Sequence, residues 1–190
     1  EKFILTRYEL LTQWSKDFFD DQFIIEPASN DASFRRYFRI KTNKKSLIIM
    51  DAPPDKEDIG SFLAIGKKLH RDDIRVPNLY EINSSLGFIL MEDFGKTTYG
   101  DALTLRNADE LYKNALSTLL TIQKNCHYKN IPSYTSRLLL NEMSLFEEWY
   151  LNKYKKIILN SHEKNDLSKI FNMIIKSNVN QQQCFVHRDF

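Results

Sequence analysis

The residues best suited to chemistry lie at the end of the chain, in His187-Arg188-Asp189. Moving a phosphoryl group from a nucleotide to an alcohol calls for a carboxylate beside the acceptor hydroxyl, to orient it and take its proton. Asp189 follows the apolar run Cys184-Phe185-Val186, which reads as a buried strand, and a strand end can hold such a carboxylate facing a cleft. His187 is placed to brace the turn through backbone groups. As three residues alone this is an ordinary strand end with solvated charges; the elements that precede it favour the catalytic reading.

Two further segments carry candidate chemistry. Asp93-Phe94-Gly95 matches the metal-binding tripeptide of protein kinases, but there the tripeptide follows the catalytic loop, whereas here it lies far upstream. Directly after Gly87-Phe88-Ile89-Leu90-Met91-Glu92 it suits a hinge, with backbone groups of Glu92, Asp93 and Phe94 meeting an adenine edge and Met91 covering the ring. The competing reading is a plain strand-to-helix turn with Gly95 at positive φ. Earlier comes Ala28-Ser29-Asn30-Asp31-Ala32-Ser33-Phe34-Arg35-Arg36-Tyr37-Phe38-Arg39. Small polar residues in a hairpin tip can aim backbone N–H groups and the Ser29 or Ser33 hydroxyl at phosphates. Strand alternation puts Arg35, Tyr37 and Arg39 on one face, Arg36 and Phe38 on the other. Without glycine, an exposed hairpin is an equal reading of this loop.

These segments need a frame. Thr6-Arg7-Tyr8-Glu9 has capping-box spacing and opens a helix with Leu10, Leu11, Trp14 and Phe18 on one face. Strand-like runs follow at 23–26, 34–40 and 46–51, then a helix over 56–70, then a hairpin of 79–82 with 87–91. That order predicts a five-stranded antiparallel lobe with a packed helix. From Asn107 the period becomes helical, with stripes Leu111, Ala115, Leu119, Ile122; Leu139, Met143, Phe146, Trp149, Tyr150; and Leu167, Ile170, Phe171, Ile174. The aromatic faces of Trp149 and Tyr150 suit a sugar ring, but their spacing from Phe146 favours core. The predicted class is α+β, with a nucleotide-binding lobe over 1–95 and a partial helical lobe over 96–190.

Composition limits the alternatives. The 190 residues carry 27 Lys+Arg and 25 Asp+Glu, a formal charge of +2, which argues against a basic nucleic-acid binder. Only 5 residues are glycine, so no glycine cluster cradles phosphate. The two cysteines, Cys126 and Cys184, have neither metal-ligand nor disulfide-framework spacing, which suits a reducing cytoplasm. No apolar run approaches the ~20 residues that span a bilayer.

With these pieces in order, the sequence resembles the aminoglycoside phosphotransferase-like kinases, and within them the bacterial N-acetylmuramate/N-acetylglucosamine kinase branch. The resemblance rests on 31–39, on Ile49-Met50-Asp51-Ala52-Pro53-Pro54-Asp55-Lys56-Glu57, on Val76-Pro77 and 87–95, and on Glu148-Trp149-Tyr150-Leu151 and Val186-His187-Arg188-Asp189-Phe190. It implies a bilobal kinase fold that uses ATP and Mg2+ to phosphorylate the anomeric hydroxyl of a cell-wall amino sugar. Asp189 would match the catalytic aspartate and His187 the structural histidine. Ser29, Asn30, Asp31, Ala32, Ser33 and Phe34 would match the phosphate loop, and Met91, Glu92, Asp93 and Phe94 the adenine hinge.

Two departures from that family stand out. Many relatives carry a basic residue on the third strand; the nearest position here is Met50, so Arg36 is the candidate to supply the charge, and Glu57 and Asp58 lack a strand-three lysine. The chain also stops one residue after Asp189, before the loop asparagine and later metal-binding acid, so no metal ligand is expected within it. The reaction is therefore expected of a longer parent, with these 190 residues inactive alone and prone to self-association through exposed apolar surface. The alternatives are a kinase of aminoglycosides or other alcohols, and a nucleotide-binding pseudokinase. A small-molecule amino sugar is the expected partner, with no nucleic acid or membrane.

Overall fold

The computed structural model describes residues 5–20, 22–29, 34–126, 131–188 and 190. The chain divides into two compact units, Glu1–Cys126 and His127–Phe190.

The first unit is built on one antiparallel sheet of order β1-β2-β3-β5-β4, with β1 at Ile24–Pro27, β2 at Arg36–Lys41, β3 at Ser46–Asp51, β4 at Leu79–Asn83 and β5 at Phe88–Glu92. The central strands β3 and β5 are nearly continuous apolar runs because helices cover both of their faces. Helix α1 (Arg7–Ser15) sets Leu11 and Trp14 against Phe38, Ile40, Leu47, Ile49, Phe88 and Leu90. Its N-terminus is closed by the expected reciprocal bonds between Thr6 and Glu9. Helix α2 (Ile59–Arg71) covers the other face, where Ile59, Phe62 and Leu63 meet Met50, Ile89 and Met91. Each large apolar side chain so buried contributes about 1.5–3 kcal/mol.

Helix α2 begins three residues later than its sequence pattern implied. Pro53 and Pro54 feed a turn, and the Asp58 carboxylate accepts from the Gly60 and Ser61 amides, so Asp58 is the cap. At the far side of the sheet, Gly87 has φ +71, and a Cβ there would lie 1.8 Å from the Ala52 carbonyl oxygen. That close approach locks the β5 entrance onto the end of β3. A short α3 (Tyr99–Ala102) and the long α4 (Ala108–Asn125) complete the unit.

The second unit holds α5 (Ser136–Leu145), a π-helical continuation (Phe146–Lys155) and α6 (Ser161–Val179). Lys156, at φ +57, ends the π segment, and Asn160 with Glu163 caps α6. Along α6 the inward stripe is Leu167, Phe171 and Ile175, rotated from the expected one, and Ile174 is exposed. The strand expected before His187 does not form over 182–187. A strand needs a neighbour to satisfy its backbone groups, and the described residues of this unit offer only helices and irregular chain.

Candidate active site

The arginines that follow the β1–β2 connection take directions set by strand alternation. Ser29 and Phe34 are exposed, and Lys56 lies over the Phe34 ring at 4.8 Å. Asn30, Asp31, Ala32 and Ser33 lie outside the described residues.

Arg36 stands opposite Asp51 on the α1 face and donates to its Oδ2 at 2.6 Å. Asp51 is fully buried and also accepts from Arg7 of α1, through Nε at 3.0 Å and through Nη2. Arg7 Nη2 reaches on to the Leu86 carbonyl at 2.7 Å. One carboxylate thus ties α1, β2 and the β4–β5 turn together. Arg36 is committed to this junction.

Arg35 takes the opposite face. Its Nε donates to Glu57 Oε2 at 3.0 Å, beside the start of α2, and its guanidinium lies 6.0 Å from the Phe62 ring. On that same face Met50, paired with Tyr37, is fully buried against α2 and Ile89. The third strand therefore presents a core thioether where a charge was sought. Beside the head of α2 stands Arg35, and Glu57, which has no strand-three lysine to meet, pairs with it.

At the other end of this face Asp93 is saturated. It accepts from Arg39 Nε at 2.7 Å and Nη2 at 2.9 Å, from the Gly95 amide at 2.9 Å, and from the Ser46 hydroxyl. Arg39 and Asp93 are only 8% and 6% exposed. The Arg39 guanidinium holds the Asp93 carboxyl well below the usual carboxylate range, helped by Ser46 and Gly95 and opposed by burial. With four donors upon it, this carboxylate fixes the turn rather than waiting for a metal. Glu92 is equally engaged, accepting from Arg75 at 2.6 Å and from the Asn78 amide and side chain. Met91 is buried, while Phe94 is exposed beneath Arg75. The hinge segment is thus pinned through its side chains.

In the second unit, Phe185 is buried and Cys184 half-buried. Val186 and His187 are exposed, and the His187 ring meets Phe190 edge-on at 6.0 Å. Arg188 has φ +73, and its Nη2 donates to Glu142 Oε1 on α5 at 2.6 Å. The other oxygen of Glu142 accepts from the Tyr134 hydroxyl, whose deprotonation Glu142 opposes. Asp189 lies outside the described residues. Trp149 and Tyr150, expected in the core, are 56% and 46% exposed; Lys153 lies 3.5 Å from the Trp149 ring centre. The π-helical winding of this segment moves them off the α-helical stripe that the sequence spacing assumed.

Among the described residues no three His, Cys, Asp or Glu side chains gather to hold a metal ion. No helix among them is long and apolar enough to cross a membrane. A cavity of about 400 Å³ lies between α2 and β4, lined chiefly by Phe62, Leu63, Val76, Pro77, Leu79 and Ile82. Among the described residues, none of those assigned to nucleotide from sequence lines it.

Sequence alternation separated Arg35 and Arg39 from Arg36, as the structure does. It missed the partners of each: Glu57 for Arg35, Asp93 for Arg39, and Arg7 as the second donor to Asp51. These pairs span 22 to 54 residues, and only opposite charge could have hinted at them.

A five-stranded antiparallel sheet with helices on both faces, followed along the chain by a helical unit, is the α+β, protein-kinase-like fold expected from sequence. The solved structure of an ethanolamine kinase from Plasmodium vivax shares it, with a TM-score of 0.50 and 13% identity over 94% of this chain and 54% of that one. The chain belongs to the phosphotransferase enzyme family (APH), which matches residues 24–190. Its curated relatives include N-acetylmuramate/N-acetylglucosamine kinases of Pseudomonas aeruginosa and Pseudomonas putida, each 34% identical over 97% of this chain. The kinase of the same name from Neisseria meningitidis is 29% identical over 95% of it. The chain spans 58% of the length of the two Pseudomonas relatives and 55% of the Neisseria one.

Proposed function

We propose that the full-length protein is an ATP-dependent kinase that phosphorylates the anomeric hydroxyl of N-acetylmuramate or N-acetylglucosamine. The observation that carries this reading is the similarity to kinases of that name along nearly the whole chain, together with membership of a phosphotransferase family.

In this reading the 1–95 lobe holds the nucleotide and 96–190 begins the lobe that holds the sugar. Asp189 orients the anomeric hydroxyl and accepts its proton as the new O–P bond forms and the bond from the γ-phosphorus to the bridging oxygen breaks, releasing ADP. His187 steadies the loop. Backbone groups of Glu92, Asp93 and Phe94 meet the adenine edge while Arg39 keeps the Asp93 side chain out of the way. Ser29 to Phe34 contact the phosphates. Arg35, positioned by Glu57, supplies positive charge to the phosphates in place of the absent strand-three lysine.

Mg2+ enters by family resemblance, to neutralise charge on the phosphates. Among the described residues no carboxylate cluster gathers to hold it; the roles proposed for this chain are positioning and proton acceptance. The proposed compartment is the cytoplasm, the partner a free amino sugar, and self-association is open to test by sizing. A nucleotide-binding pseudokinase is the second reading, favoured by the burial of Met50 in the core. Steady-state ADP release from full-length protein with each amino sugar, an aminoglycoside and a simple alcohol separates the two. Amino-sugar turnover that Asp189→Asn abolishes is expected; nucleotide binding without turnover on any acceptor would overturn the kinase reading.

A further inference from the structure

Residues 184–188 are anchored within the second unit at two points three residues apart. Phe185 is buried, and Arg188 reaches α5. Between them Val186 and His187 are exposed, and Asp189 follows directly. Arg188 also has a left-handed backbone, which a side-chain-bearing residue adopts only when its surroundings hold it there.

What surrounds Arg188 fits that requirement. Its guanidinium meets Glu142 Oε1 at 2.6 Å and lies 5.8 Å from the Tyr134 ring centre. Tyr134 precedes the Thr135 cap of α5 and donates its hydroxyl to the other oxygen of Glu142, eight residues further on. One carboxylate thus joins the start of α5, its middle and the terminal segment. An exposed ion pair alone contributes little. Here the carboxylate is itself fixed by a phenol, so Arg188 finds its acceptor already oriented.

We propose that Tyr134 and Glu142 form a latch that fixes the backbone turn at Arg188 and so serves proton transfer by the residue that follows it, Asp189. They are positioning residues: they touch neither nucleotide nor sugar and act through Arg188. The proposal rests on the reading of Asp189 as the proton acceptor. Misplacement of a reacting group by about an ångström costs such reactions about 100-fold in rate, so a turn free to relax should slow turnover.

The test uses the full-length protein with Glu142→Gln, Tyr134→Phe and, as control, Glu147→Gln, whose carboxylate pairs with Lys164 elsewhere in this unit. For Glu142→Gln, kcat should fall about 10–100-fold with the KM for ATP within about twofold of wild type. Tyr134→Phe should show a smaller fall of the same kind. Amide hydrogen exchange over 186–190 should quicken about tenfold in Glu142→Gln and not in Glu147→Gln. A kcat within twofold of wild type overturns the latch, as does exchange no faster than in the control. Exchange is readable whether or not the protein turns over. Full activity in Asp189→Asn would instead defeat the catalytic assignment, so the two failures are told apart.

Discussion

Replacing Asp93 by Asn tests whether the Asp-Phe-Gly tripeptide is a structural turn. The substitution preserves shape and removes one charge. The retained oxygen can still accept from Gly95 N and Arg39 Nη2, now at 2.9 Å each, but the new NH2 faces Arg39 Nε, a donor against a donor. Arg39 is 8% exposed, so it keeps its charge with little water to replace the lost carboxylate. A charge-assisted hydrogen bond contributes ~1.5–3 kcal/mol, and breaking a buried ion pair from one side costs ~3–5 kcal/mol. We expect a loss of about 3 kcal/mol, which lowers the melting temperature of a unit this size by about 10 °C. Circular dichroism and denaturant melts would measure it. The pH dependence follows, because the folded carboxyl lies below its unfolded value of about 3.9. The pair's contribution is complete above about pH 4 and fades as pH falls below that, so Asp93→Asn should flatten acid destabilisation. A loss under ~1 kcal/mol with weakened dependence on Mg2+ would refute the structural account and restore a metal-binding role.

Other consequences are as direct. Gly87→Ala places a Cβ on the Ala52 carbonyl at a positive φ, and should cost at least ~2 kcal/mol in chemical denaturation. Arg35→Ala should weaken ATP binding about tenfold by calorimetry while Arg36→Ala chiefly lowers the melting temperature, because Arg36 serves the Asp51 junction. Burial, and Asp72 after it, push the Cys126 thiol upward, so native alkylation at pH 8 should run well below the rate of the unfolded chain.

The sheet was legible because β3 and β5 are apolar on both faces, a pattern that only a strand between two helical layers requires. Helix α1 was legible from its cap, since Thr6 and Glu9 act over three residues. Where the sequence misled, the cause was non-local. The run at 184–186 has strand composition but finds no strand to pair with among the described residues. Trp149 lies on an apolar stripe only if the helix keeps 3.6 residues per turn, and the π winding from Phe146 shifts it outward. The ion pairs that organise the candidate site join different elements, so spacing along the chain carries no trace of Glu57 meeting Arg35 or of Glu142 meeting Arg188. Asp189 is assigned from its position in the family; the partners of Arg188 before it, Glu142 and through it Tyr134, lie too far along the chain for spacing to show.

Phosphorus NMR of the full-length protein incubated with ATP, Mg2+ and N-acetylmuramate follows the transferred phosphoryl group itself. Wild type should form a new sugar phosphate whose phosphorus couples to the anomeric proton, and Asp189→Asn should not. Phosphate appearing on another hydroxyl, or product formed equally well without the Asp189 carboxylate, would contradict the proposed reaction.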